Sequence, residues 1–227
     1  MPEDPSGTNP DSGFDRVAPF YDALARLVFG NVLNEAQAAF LPVVMPEAKI
    51  LIVGGGSGWL LEQILTTCAP RKVVYLEASG RMLHRARRRV REDRRVHFRH
   101  GTERSLLPDE QFDAVFTPFV LDLFSEKRLV GHLLPSLYAA LRPGGKWFCT
   151  DFFRPDTAWK AFLLQSMYRF FRLTASIEAR RLPDWPRLLE EELRLSRVAD
   201  RLFWKGFIRS GVWEKAAVGF SVPLRTD

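Results

Sequence analysis

Gly54, Gly55, Gly56 and Gly58 stand together between an apolar run and a helix-like pattern, within KILIVGGGSGWLLEQIL from Lys49 to Leu65. Residues without a Cβ admit positive φ and let a ligand reach the backbone, so such a corner can present N–H groups to an anionic or strongly polar ligand. The spacing sorts the ligands. A dinucleotide fingerprint needs G-x-G-x-x-G, and counted from Gly54 its last position is Trp59. There is no G-x-x-x-x-G-K-[ST], which removes the nucleoside-triphosphate loop. What remains is G-x-G-x-G followed by an acid, Glu77, closing the next apolar run from Val73 to Leu76. A carboxylate there can accept from both hydroxyls of a ribose and would repel a 2′-phosphate.

The surrounding pattern supplies the elements that position these residues. Ile50 to Val53 are consecutive apolar residues, mostly β-branched, and predict a central parallel strand buried on both faces. Leu60, Leu61, Ile64 and Leu65 recur on one helical face, so the chain turns from strand to helix through the glycines. Further strands are predicted over Arg71 to Leu76, Val96 to Arg99, Phe112 to Pro118 and Trp147 to Phe152. Helices are predicted over Ser79 to Arg91, Glu126 to Leu141, Thr157 to Leu173 and Pro186 to Ala199, the second stopped by Pro143-Gly144-Gly145. Arg201 to Arg209 and Val212 to Val218 flank Ser210-Gly211 and read as a hairpin. At the front, residues 1–13 have almost nothing to bury and read as a disordered tail. Val17, Phe20, Leu24, Leu27 and Val28 then recur at helical spacing.

Four blocks, ILIVGGGSG, VVYLEASGRML, HGTERSLLPDEQFDAVFTPFVLDLF and LRPGGKWFCTDFF, occur in order between Lys49 and Phe153. Together they resemble the Rossmann-like S-adenosylmethionine-dependent methyltransferases, and most closely the branch of the ubiquinone/menaquinone C-methyltransferases. FDRVAPFYDAL at the front is similar to the entry helix of that branch. The resemblance implies an α/β fold with a mostly parallel seven-stranded sheet, a C-terminal antiparallel hairpin and helices on both faces. It implies one methyltransferase domain over residues 14–227, with lid helices over 14–45 and a helical cap over 154–200. S-adenosylmethionine is the implied cofactor, held by Gly54, Gly55, Gly56, Gly58, Glu77, Ala78, Met82, Thr102, Glu103 and Thr117. Tyr21, Phe119 and Asp122 are the implied acceptor contacts. The chain departs from the family at Ile52, where an acid is usual.

Composition bounds the alternatives. A chain of 227 residues can bury a core without disulfides or metal. The two cysteines, Cys68 and Cys149, have no zinc or redox spacing and read as buried thiols of a reducing compartment. His84, His97, His100 and His132 are scattered, so no metal site is expected. No apolar run approaches the roughly 20 residues that span a bilayer, and no basic stretch with an apolar core opens the chain, so the expectation is a cytoplasmic protein. The net charge of +6 is concentrated between Arg81 and Arg95, with eight arginines against two acids. That run reads as a solvated helix face, because neither a recognition motif nor interleaved aromatics accompany it.

Methyl transfer from a sulfonium is an in-line displacement, so the cofactor carries the electrophile and the protein contributes alignment and exclusion of water. No catalytic signature is therefore expected. An acidic acceptor would benefit from a base, and Asp122 after the fourth strand is the candidate. The reading is a methyltransferase for a small, partly apolar acceptor. Its rivals are a nucleic-acid methyltransferase using the arginine-rich helix and a non-catalytic cofactor-binding module.

Overall fold

The computed structural model describes residues 26–91, 93–174 and 179–217. Its centre is a seven-stranded sheet formed by β1 (Lys49–Val53), β2 (Lys72–Glu77), β3 (Val96–His100), β4 (Phe112–Pro118), β5 (Leu141–Phe152), β6 (Ser196–Phe203) and β7 (Ile208–Glu214). The strands lie in the order β3-β2-β1-β4-β5-β7-β6. The first five are parallel, and β7 runs antiparallel to both β5 and β6. The chain leaves β1 towards β2 on one side and later returns to place β4 on the other. The carboxyl ends of β1 and β4 therefore border a topological switch point, where open α/β sheets take ligands.

Both faces of the sheet are covered. Ile50, Ile52, Val73 and Tyr75 pack with Leu60, Leu61 and Ile64 of α2 (Trp59–Thr67) and with Leu83 and Ala86 of α3 (Gly80–Arg89). On the other face Leu51, Val74, Val115 and Trp147 meet Leu129, Leu133, Leu134 and Leu137. A third cluster gathers Ala36 of α1 (Val32–Ala38), Phe152, Phe207 and Leu164 and Tyr168 of α5 (Ala158–Thr174).

Local chemistry explains several boundaries. Ser79 caps α3, its Oγ accepting the Met82 N–H at 3.1 Å, and Arg87, Arg88 and Arg89 occupy the last turn, where the helix dipole favours cations. The helix predicted over Glu126 to Leu141 runs to Ala140 but widens to a π-turn over Leu129–Leu133. Pro135 follows that turn and has no N–H for the ladder, which accounts for the irregularity. Pro143-Gly144-Gly145 then falls in a bulge within β5, between the pairings Phe112 with Leu141 and Ala114 with Lys146.

Two expectations at the C-terminal end are corrected. The helix predicted over Pro186 to Ala199 is short, spanning Trp185–Arg187 and a π-turn over Leu188–Glu192, and Ser196 already begins β6. The helical part of the segment 154–200 therefore ends before its last residues. The hairpin exists, but its turn is Trp204-Lys205-Gly206, all three at positive φ of 46°, 55° and 84°. Ser210 and Gly211 instead lie inside β7, paired with Thr150 and Cys149. The tail over 1–13 and the forward part of the segment 14–45 lie outside the described residues. No helix among the described residues is long and apolar enough to cross a membrane.

Candidate cofactor and acceptor site

β1 ends at the glycines because its apolar residues stop there and the backbone turns over. Gly54, Gly56 and Gly58 have φ of 63°, 62° and 86°, and Gly58 is the left-handed residue that opens α2. A side chain at Gly58 would place Cβ 2.8 Å from the Ala86 backbone, so the close approach of α2 and α3 requires glycine. Gly56 is different. Its missing Cβ would meet nothing within 4 Å, so this glycine opens onto unfilled space.

The corner is braced from β2. Glu77 is buried, with Oε2 accepting the Gly56 N–H at 3.0 Å and Oε1 accepting the Ser79 N–H at 2.9 Å. The Tyr75 hydroxyl donates to the Gly56 carbonyl at 2.8 Å, and its ring fills the space beside Gly55. A carboxylate and a phenol on alternate residues of one strand thus fix the same glycine from its donor and its acceptor side. Ala78 follows, its carbonyl 2.9 Å from Nε2 of His100. Met82 is buried in the first turn of α3. Thr102 precedes a short 3-10 turn, Glu103–Ser105, in which Glu103 is buried. Since β2 and β3 are parallel neighbours, Gly101, whose N–H donates to the Glu77 carbonyl at 3.0 Å, brings Thr102 and Glu103 to the carboxyl edge that carries Glu77.

Across the switch point, β4 behaves differently from its sequence-based assignment. Thr117 is fully buried and its Oγ1 accepts the Trp147 indole N–H at 3.0 Å, so its side chain holds the sheet together rather than facing the edge. Phe119 has φ 53°, an uncommon conformation for a bulky residue. Its N–H is fixed to the Thr150 carbonyl at 2.7 Å, and its ring lies 5.4 Å from that of Phe152. Asp122 is buried with Asp151. Oδ2 of Asp151 accepts the N–H groups of Leu121 at 2.8 Å and Asp122 at 3.2 Å, and Oδ1 accepts that of Phe152 at 2.8 Å. The two carboxyls also hydrogen-bond to each other. Oδ1 of Asp122 is fully buried and has no hydrogen-bond partner among the described residues. Burial pushes Asp122 up to about 7, and burial together with the Asp122 charge raises Asp151. Both carboxyls are thus held towards the protonated form, and the pair gives up its protons as one unit.

Tyr21 lies outside the described residues. The remaining residues from the sequence group on the carboxyl edges of β1, β2, β3 and β4, except that the Thr117 side chain points into the sheet. Three residues escaped sequence reasoning. Tyr75 and Asp151 were legible in principle, as polar groups at the ends of apolar strands, whereas Ser79 is an ordinary N-cap before a helix start. Ile52 is wholly buried between Tyr75 and Phe116 in the strand register, among aliphatic and aromatic neighbours. The thiols of Cys68 and Cys149 are buried, and desolvation pushes Cys68 up to about 11 and raises Cys149 well above its ordinary value. Among the described residues no cluster of His, Cys, Asp and Glu has the makings of a metal site. A cavity of about 240 Å³ lined by Arg71, Asp113, Arg142 and Lys146 lies at the opposite, amino end of the strands and takes no part in this edge.

Residues 50–145, which span this whole edge, match the family described as a methyltransferase domain. These residues are similar to a methyltransferase domain. The chain's curated relatives agree, as the ubiquinone/menaquinone biosynthesis C-methyltransferase of Methylobacterium nodulans is 28% identical over 151 residues, covering 63% of this chain and 59% of the relative. The enzyme of the same name from Vibrio cholerae is 26% identical over 149 residues. The chain thus spans less than two thirds of the length of these relatives. Among solved structures, the chain is similar to the methyltransferase bound to the Trm112 activator in Haloferax volcanii, with a TM-score of 0.68 at 16% identity over 89% of this chain and 97% of the other. It is likewise similar to the 1,6-didemethyltoxoflavin-N1-methyltransferase of Burkholderia thailandensis, with a TM-score of 0.66 at 17% identity over 95% and 92% of the two chains. These likenesses establish the Rossmann-like methyltransferase fold.

Proposed function

We propose that this protein transfers a methyl group from S-adenosylmethionine to a small, partly apolar acceptor. The observation that carries the reading is Glu77, a buried strand-end carboxylate bonded to Gly56 within residues similar to a methyltransferase domain. The residues fit the cofactor, because the space beside Gly56 is one that a Cβ would enter. In this proposal the glycine corner and the amino end of α2 receive the methionine part. Glu77 accepts from the ribose, and Ala78, Met82, Thr102 and Glu103 border the adenine. The cofactor, when bound, supplies the electrophilic methyl carbon.

The chain's own residues would then orient and desolvate. Phe119 presents an aromatic face at the end of β4, and Asp122 lies buried in the turn that follows it. Parts of the segments 14–45 and 154–200 close this edge as lid and cap. Ala36 of α1 and Tyr168 of α5 already touch it, at Thr150 (3.5 Å) and at the Asp122 carbonyl (3.3 Å). Dryness at this edge would favour displacement over hydrolysis.

Titration calorimetry with S-adenosylmethionine, S-adenosylhomocysteine, NADH and NADPH tests the cofactor. The expected result is binding of the first two alone. Tight NADPH binding without a response to S-adenosylmethionine overturns the reading. The acceptor is found from the accurate mass of a product formed from cell extract and labelled cofactor. A second reading, a module that binds the cofactor without turnover, draws on the buried Ile52 where the family carries an acid, and it predicts binding with no labelled product.

A further inference from the structure

α5 is amphipathic in an unusual sense. Its inner side buries Lys160, Leu164 and Tyr168, yet its outer side also carries large apolar residues, with Trp159 47%, Phe162 73% and Leu173 76% exposed. Trp159, Phe162, Arg169 and Leu173 recur at steps of three, seven and four residues and so lie along one stripe. Arg169 and Arg172 are exposed and, among the described residues, make no ion pair. Between Ala158 and Thr174 there is no acid.

We propose that this outward face of α5 docks on an anionic lipid surface. Aromatic and aliphatic side chains standing beside exposed arginines on a helix face are the chemistry of interfacial binding, the rings entering the headgroup boundary while the guanidiniums meet phosphates. The charge selects the occupant. Every charge on the stripe is positive, so a second copy of the chain would set arginine near arginine, whereas an anionic bilayer neutralises them. The face is also held ready. Trp159 packs edge-on against Trp204 at 5.4 Å, and Trp204 continues to Phe29 at 4.9 Å, Phe29 to Phe152 at 5.6 Å and Phe152 to Phe119 at 5.4 Å. A continuous file of rings thus joins the docking face to the carboxyl edge of β4. Lys160 anchors the first turn from beneath, donating to the Lys205 carbonyl at 2.7 Å. This inference needs no assumption about the reaction.

Flotation with phosphatidylcholine vesicles, with and without phosphatidylglycerol, tests it on the full chain. The parent should float with the anionic vesicles and be released by high salt. Phe162→Ser with Leu173→Ser should weaken binding by about tenfold or more, and so should Arg169→Glu with Arg172→Glu. All four positions are exposed, so thermal melts should match the parent. Three results each overturn the proposal: no binding of the parent to anionic vesicles at low salt, binding that neither double variant alters, or a parent dimer in sedimentation that the apolar variant dissolves.

Discussion

Asp151 fixes the backbone of Asp122, taking its N–H at 3.2 Å, while one buried oxygen of the Asp122 carboxyl finds no partner among the described residues. With Asp122 raised to about 7 and an unfolded aspartate near 3.9, the native state binds the extra proton between about pH 4 and about pH 7. Stability from this pair is present in full below the unfolded value and is lost as pH rises through the native one. Urea midpoints of the parent should fall across that window relative to those of Asp122→Asn, and parallel midpoints for the two proteins would contradict the extra proton.

Ile52→Asp places a carboxylate inside a strand whose neighbours are Tyr75 and Phe116, with no cation in its buried cluster among the described residues. A buried, unpaired charge costs several kcal/mol, so the variant should fail to fold or melt far below the parent. Ile52→Val should cost only about 1 kcal/mol.

Gly56→Ala and Gly58→Ala separate ligand space from packing. The first adds a methyl to open space at a φ of 62°, a strain of about 1 to 2 kcal/mol, and should leave a folded protein with weakened S-adenosylmethionine binding. The second drives Cβ against the Ala86 backbone and should lower the melting temperature much further. Equal melts for the two variants would undo the distinction.

Glu77→Ala removes two charge-assisted bonds, to Gly56 and Ser79, each worth roughly 1.5 to 3 kcal/mol. It should therefore lower both the melting temperature and the affinity for S-adenosylmethionine, the latter by about tenfold to a thousandfold. Glu77→Gln, which retains an acceptor for Gly56, should fall between. Loss of stability with unchanged affinity would confine Glu77 to bracing the corner.

The strand-corner-helix unit and the parallel sheet were legible because buried strands are apolar runs and glycine marks the turn. Ile50 to Val53 and Leu60 to Leu65 carry those signals without ambiguity. The C-terminal hairpin misled for an equally physical reason. Ser210-Gly211 has turn chemistry but sits in β7, while the real turn is made by Trp204 and Lys205 at positive φ, which tertiary contact with Phe29, Trp159 and Phe207 sustains. β6 reads as polar because it is exposed on most positions, so no alternation identified it, and Arg194 at φ 54° ends the helical stretch without a glycine to announce it. At the site, Glu77 was placed by its position after an apolar run. The burial of Thr117 depended on Trp147, a partner 30 residues away that no local pattern relates to it.

β6 closes one side of the sheet, and among the described residues it pairs with β7 alone. Val198 and Leu202 are about half exposed along it, at 51% and 52%, which by themselves would make a template for strand addition between molecules. Arg197, Asp200 and Arg201 interrupt that row, and Arg197 and Arg209 both pair with Asp200. Charges placed along an edge strand in this way disfavour strand addition between molecules, so Asp200 and its two arginines guard the open side of the sheet.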